Sequence, residues 1–252
     1  MKASYPLPAA KIADFVEDIL VIENYNVKSS FVLPLFANGK PTLLFQTAKG
    51  KIKNNSNYLT LFGQTIFPEQ ITLTENFTLI AYFFKPFALT ALFGFSAQEL
   101  TNNPISLNLL QQQTTKNLQE QLLNASSNKE MLNLLDDFIF SLITKVKTDT
   151  KLIQYATQLI SENPAKEILT KVRDELCVTE RTFQRMFEQK VGLSPNQYRR
   201  VAQFNAAFQQ LNKRQFKLIT DIAFTHNYAD QSHFIRAFKE FTNLTPKEYL
   251  RF

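Results

Sequence analysis

The carboxyl end of this chain carries one helical unit twice, which constrains the fold more than any single motif does. Displaced by 51 residues, CVTERTFQRMFEQKVGLSPNQYRR (177–200) falls on YADQSHFIRAFKEFTNLTPKEYLR (228–251). Phe183 then meets Phe234, Arg185 meets Arg236, Phe187 meets Phe238, Leu193 meets Leu244, Pro195 meets Pro246 and Tyr198 meets Tyr249. A unit that recurs with its core aromatics, its arginine and its helix start in register is one supersecondary structure used twice.

Each copy reads as two short helices across a tight turn. In the second, DIAFTHNYADQSHFIRAFKEF (221–241), Ile222, Ala223 and Phe224 close one helix, Asn227 takes the turn and Asp230 caps the next. Asparagine tolerates the left-handed backbone of such a turn, and an aspartate accepts from the free N–H groups of a first helical turn. Phe234, Ala237, Phe238 and Phe241 recur at spacings of three and four and make a buried face, while Ser232, Ile235, Arg236 and Lys239 fall on another. In the first copy Phe183 and Phe187 stand opposite Arg181, Gln184, Arg185 and Glu188, behind a cap at Thr179. A short helix that buries aromatics and presents Arg, Lys and hydroxyl groups suits a DNA major groove.

The charge distribution points to the same region. Residues 1–149 hold 12 Lys, no Arg and 12 acids, whereas residues 150–252 hold 8 Lys, 8 Arg and 10 acids and carry the whole net charge of +6. The arginine fork suits bidentate contacts to phosphate and guanine. A single cysteine, Cys177, excludes an intramolecular disulfide and fits a reducing, cytoplasmic setting. Apolar runs such as 77–84 are too short to span a bilayer, and the leading MKASYPLPAAK lacks an apolar stretch of signal-peptide length, so neither membrane association nor export is expected. His226 and His233, the two histidines, have no acids or cysteines at ligand spacing, and neither a Gly-rich phosphate loop nor a Ser/His/Asp set occurs. No metal, no cofactor and no enzymatic activity are expected.

On the residues TERTFQRMFEQKVGLSP, IAFTHNYADQSHFIRAFK and LTPKEY, the segment 150–252 resembles the DNA-binding domain of the AraC/XylS family of bacterial transcription regulators, which joins two helix-turn-helix units by a long helix. The resemblance implies base readout by Arg181, Gln184 and Arg185 from the first unit and by Gln231, Ser232, Ile235 and Arg236 from the second. Thr179, Lys190, Arg199, His233 and Lys239 are read as contacts to the DNA backbone, which give affinity without sequence information. Arg214 and Arg251 are read as facing solvent. Double-stranded DNA is the expected partner, with RNA polymerase and a second copy of the chain as further candidates. Three departures stand out: Asn227 and Cys177 occupy turn positions where the family has Gly, and Arg173 replaces the small Ala that the second unit keeps as Ala223. Arg173 puts close helix packing in the first unit in question.

The long helix is expected from Pro195 to about Leu211, roughly 25 Å at 1.5 Å per residue. A spacer of that order would set two recognition helices about 34 Å apart, one turn of DNA. Ahead of it, helices are expected at Leu152–Glu162, Ala165–Leu176 and Glu180–Lys190, and KVKTDT (145–150) reads as a short semi-rigid linker.

The fold class is thus α+β, with an N-terminal small β-sandwich or barrel plus helices over 1–147 and an all-α domain over 148–252. Between Phe31 and Phe84 the runs FVLPLF, TLLF, YLTLF and LIAYFF alternate with turn material at Asn38-Gly39, Lys49-Gly50, Asn54-Asn55 and Pro68-Glu69. Ile12–Ile22 fits a helix or a strand. A helix is expected after Pro86, breaking near Gly94, with a capping box from Ser96 to Glu99. Two helices are expected over 114–146, the second with an apolar stripe for the β part or for another subunit. This half resembles the cupin-like sensory domains attached to many AraC-type regulators, which implies a small-molecule effector. An oligomerisation module or an enzyme in place of the sensor is the alternative, and the absence of histidine from the β part counts against a metal enzyme. Phe31, Phe45, Phe62, Tyr82 and Phe84 are candidates to line a cavity or to fill the core.

Overall fold

LTLF (59–62) and FTLIAYFF (77–84) are apolar apart from Thr60 and Thr78, the pattern of strands covered on both faces. The computed structural model, which describes residues 1–52, 55–110 and 112–251, shows why. Among the described residues ten strands run: Lys2–Ser4 (β1), Val16–Asn24 (β2), Phe31–Leu35 (β3), Thr42–Gln46 (β4), Lys51–Ile52 (β5), Asn55–Ser56 (β6), Leu59–Phe62 (β7), Glu69–Leu73 (β8), Phe77–Phe84 (β9) and Ile105–Ser106 (β10). They form a six-stranded antiparallel sheet, β1-β2-β9-β4-β7-β10, and a four-stranded antiparallel sheet, β3-β8-β5-β6. Leu44, Phe62, Leu79 and Ala81 point from the larger sheet into the space between the two sheets. Leu43, Phe45, Leu61, Ile80 and Tyr82 point the other way, into a core shared with the helices.

The helices are Ala88–Phe93 (α1), Gln112–Asn124 (α2), Asn128–Ile143 (α3), Lys151–Glu162 (α4), Ile168–Glu175 (α5), Glu180–Lys190 (α6), Pro195–Asn212 (α7), Ile219–Thr225 (α8), Gln231–Thr242 (α9) and Pro246–Tyr249 (α10). Ser127 caps α3 by accepting from Glu130 N, and Met131, Leu135, Phe138, Ile139 and Leu142 are buried in the core that backs the larger sheet. Tyr82 fastens this contact by donating to Asp136 Oδ1 on α3 at 2.7 Å, and burial together with that carboxylate pushes its phenol pKa up. The apolar stripe of α3 is therefore covered within the chain.

Several local expectations need correction. Of the two readings of Ile12–Ile22 the strand holds, from Val16 on as part of β2, while residues 10–15 make turns that bury Ile12 and Phe15. Ser96 opens a single 3₁₀ turn, Ala97–Leu100, with no side-chain cap, so the capping box is absent there. Helix α5 starts at Ile168 rather than at Ala165, because Asn163 and Pro164 leave the helical region before it. Of the five cavity candidates, Phe45, Tyr82 and Phe84 are fully buried core, Phe31 packs on the core between the sheets, and Phe62 lines a cavity of about 170 Å³ there. Asn54, half of the expected Asn54-Asn55 turn, lies outside the described residues.

The two halves share one hydrophobic core. Phe36, just past β3, sets its ring 5.7 Å from Phe208 on α7 and 6.1 Å from Tyr249 on α10. Gly39, at φ +72, backs onto Val201 and Tyr198 of α7. Between them lies a cavity of about 560 Å³ whose lining includes Glu17, Lys40, Lys85, Gln154, Tyr198 and Asn205. Lys40 there is paired with Glu17 at 2.8 Å and Asp18 at 2.5 Å. Burial alone would lower its pKa, and the two carboxylates outweigh it and hold the amine above its ordinary value.

Candidate nucleic-acid interface

The two repeats fold alike. Each second helix opens on an oxygen that accepts from its third backbone N–H: Thr179 Oγ1 from Thr182 N at 3.3 Å in α6, and Asp230 Oδ1 from His233 N at 2.7 Å in α9. Each buries an aromatic pair, Phe183 with Phe187 at 5.0 Å and Phe234 with Phe238 at 5.8 Å, and each pair continues to a tyrosine, Tyr198 or Tyr249. Each is followed by a left-handed residue, Gly192 (φ 92) or Asn243 (φ 61), and then by a capping box with Pro at the helix start. The turns are left-handed at Cys177 (φ 53) and Asn227 (φ 59). Val178 N bonds to Arg173 O in the first turn and Tyr228 N to Ala223 O in the second, so the turns correspond at an offset of 50, and Ala229 is the residue that moves the following helices to 51.

Arg173 does not wedge the first unit open. Its guanidinium reaches Glu180 Oε2 at 3.0 Å and Asp174 Oδ1 at 2.9 Å on the outside, while Val172 is buried beside it. Hydrogen bonds to these two carboxylates hold its pKa above the ordinary arginine value.

Helix α7 is the common support and packs against α4, α6, α8 and α9. Its 18 residues make it about 27 Å long. Arg200 ties it to α9 through Glu240 at 2.6 Å and lies over the Phe241 ring. Gln203, buried on the same helix, donates from Nε2 to His226 O at 2.8 Å and Asn227 O at 3.0 Å in the second turn.

The outward faces hold most of the residues singled out from the sequence. On α6, Arg181 and Arg185 are exposed, and Gln184 is half-buried with its amide on Glu188 Oε1 at 2.7 Å. On α9, Gln231, Ser232, Arg236 and Lys239 are exposed, and Ile235 is half-buried outside the core cluster. Among the described residues no hydrogen bond or ion pair engages the side chains of Arg181, Arg185 or Arg236. His233 is exposed, with its ring edge-on to Tyr228 at 5.2 Å. Arg214 and Arg251 are exposed.

Two assigned residues are placed differently. Arg199 is half-buried: its Nη1 donates to Pro164 O at 2.9 Å and Gln203 Oε1 at 3.0 Å, and burial, then Arg200 beside it, draws its pKa below the ordinary value. Its Nη1 is thus held by acceptors of the domain itself. Lys190 donates to Asp149 O at 3.2 Å and so ties the end of α6 to the linker. Sequence reasoning also missed the α7 residue Gln203, since a glutamine in a helix carries no signal of its distant acceptors.

Among the described residues no group of three or more His, Cys, Asp or Glu is placed to hold a metal ion, and no helix is long and apolar enough to cross a membrane.

Two helix-turn-helix units on one long helix, with unpaired arginines on matching faces, define a DNA-binding domain of the double helix-turn-helix class. Residues 173–251 match a family model described as a helix-turn-helix domain, and this part of the chain is a helix-turn-helix domain. Residues 5–106 match a second model, described as a domain of unknown function. Among curated proteins none matches the chain. Solved structures of ToxT from Vibrio cholerae are similar over nearly the whole length. One has a TM-score of 0.51 at 13% identity, covering 100% of this chain and 98% of that one. Wild-type ToxT of strain SCE256 with an unsaturated fatty acid bound has a TM-score of 0.51 at 16% identity, covering 92% and 94%. ToxT of strain O395 bound to (E)-4-(8-methylnaphthalen-1-yl)but-3-enoic acid has a TM-score of 0.51 at 14% identity, covering 100% and 99%. At these identities the likeness is one of fold: a β-rich N-terminal part joined to the two-unit helical part.

Proposed function

We propose that this chain is a sequence-specific transcription regulator that lays α6 and α9 in successive major grooves of one duplex. The observation that carries the reading is the pair Arg185 and Arg236: they occupy equivalent places in the two units, both are exposed, and among the described residues neither side chain has a hydrogen-bond or ion-pair partner. Arg181, Gln184 and Arg185 read bases from α6, and Gln231, Ser232, Ile235 and Arg236 read them from α9. Thr179, His233 and Lys239 meet the DNA backbone, with Lys190 as an outer contact. The protein acts by binding rather than by catalysis, in the cytoplasm, with RNA polymerase and a second copy of the chain as its partners beyond DNA.

Residues 1–147 act as the sensing domain and 148–252 as the DNA-binding domain. ToxT structures with carboxylic acids bound support control by a small molecule. The cavity of about 560 Å³ is the site we favour, because its lining takes Lys40 and Lys85 from one half and Gln154 and Asn205 from the other. A ligand shifts an equilibrium only through contacts that differ between two arrangements, and a molecule touching both halves has such contacts.

The test is selection of duplexes from a random pool by the full chain, followed by footprinting. Two protected segments about one helical turn apart are expected. One segment, or none, sinks the reading.

A further inference from the structure

The two recognition helices end differently. In α9 the need of the last carbonyls is met locally: the Thr242 hydroxyl donates to Phe238 O at 2.7 Å, Asn243 N donates to Lys239 O at 2.9 Å, and Thr242 Oγ1 accepts from Leu244 N at 3.1 Å. In α6 the residue equivalent to Thr242 is Val191, which has no hydroxyl. Val191 N and Gly192 N both turn back onto Phe187 O there, at 2.8 and 3.0 Å, and the further donors come from the N-terminal half. Thr90 Oγ1 on α1 donates to Gln189 O at 2.9 Å, and Thr101 Oγ1, just past the 3₁₀ turn, donates to Gly192 O at 2.7 Å. The approach is close: a Cβ on Gly192 would stand 2.8 Å from Thr101 Oγ1 and 2.9 Å from Ala97 O, so only glycine lets the N-terminal half come this near.

We propose that Thr90 and Thr101 are positioning residues for the first recognition helix, so that occupancy of its half-site depends on the N-terminal half while that of the second half-site does not. The proposal rests on the reading that α6 and α9 each enter DNA. Carbonyls at a helix end need donors, and a helix that borrows them from another part of the chain keeps its orientation only while that part is seated. Helix α9 brings its own donors and is tied to α7 by Arg200–Glu240 and by Gln203. The first unit is therefore a composite of both halves, and movement of α1 or of the 3₁₀ turn reaches DNA there first.

Two double variants of the full chain separate the hydroxyls from mere packing. Thr90→Val with Thr101→Val keeps shape and removes both donors, and Thr90→Ser with Thr101→Ser keeps the donors and removes the methyl groups. Hydroxyl-radical footprints are taken on the duplex that the unaltered chain selects. With two modest hydrogen bonds lost, the Val pair is expected to weaken protection over the α6 half-site by roughly tenfold and to leave the α9 half-site as it was. The Ser pair is expected to protect like the unaltered chain. A Val pair that protects both half-sites fully overturns the proposal. So does a Val pair that loses both alike, or a Ser pair that loses as much as the Val pair. Failure of the underlying reading looks different, since the unaltered chain itself would then not protect two segments.

Discussion

Arg199 and Gln203, one turn apart on α7, are joined at 3.0 Å, and their outer ends hold the two helix-turn-helix units together. Arg199 also donates to Pro164 O at 2.9 Å ahead of α5, and Gln203 donates to two carbonyls of the second turn, those of His226 and Asn227. The relay crosses α7 and fixes both units to one support. Gln203→Met retains the bulk, strands both carbonyls and leaves Arg199 Nη1 with Pro164 O alone. It is expected to cost about 1–3 kcal/mol in a urea unfolding series. Retention of full stability would show that water replaces the amide without loss.

Removing the unpaired guanidinium in either unit should cost binding without costing fold. Arg185→Ala and Arg236→Ala are each expected to lose about 1–3 kcal/mol of specific affinity and to relax sequence preference within one half-site. Lys239→Ala is expected to weaken all sequences alike and to reduce the salt slope by about one. Electrophoretic shifts across a salt series tell the two kinds of contact apart. Arginine variants that bind like the unaltered chain would remove these residues from base readout.

The first turn holds a cysteine in the left-handed region, at φ 53, where a side chain beyond Cβ has no compensating local hydrogen bond. Cys177→Gly relieves that conformation and is expected to stabilise the fold by about 0.5–1 kcal/mol. Asn227→Gly, at φ 59, should gain less, because asparagine is already suited to that backbone. Thermal melts of the two variants side by side check the ordering.

His226 links stability to pH. It is half-buried with Nε2 2.7 Å from Gln210 Oε1, and burial draws its pKa below the ordinary imidazole value. The unfolded chain then binds the proton more readily than the folded one, so stability rises with pH across the interval between the two pKa values. The contribution is fully present above the unfolded value and is lost as pH falls through the folded one. His226→Gln should flatten the decline in melting temperature below about pH 6.5. An unchanged slope would place the titrating group elsewhere.

The DNA-binding half was legible in the sequence because its signals are local. Caps at Thr179 and Asp230, Pro195 and Pro246 at helix starts, and phenylalanines at three- and four-residue spacing all act within a turn or two of chain. The β part was readable as the strands of a sandwich or barrel but not in its strand order, because β7 and β9 are covered on both faces and lose the alternation that would reveal which side meets which layer. The bond from Arg199 to Pro164 O was not legible, because its acceptor lies 35 residues away in the chain. Thr90 and Thr101 stayed invisible likewise, since their acceptors lie 99 and 91 residues on. Residue type announces a capacity to donate, and tertiary folding decides where the donor points.

Phe36 gives the shared core a practical meaning. Its ring completes a group formed by Phe208 and Tyr249, so the N-terminal half supplies a piece of the wall against which the second unit is built. A chimera that grafts another regulator's sensor onto α4–α10 would leave Phe208 and Tyr249 open to water unless the donor brings an aromatic to the same place. The two halves of this protein are matched parts, and exchanging either one means recutting the seam between them.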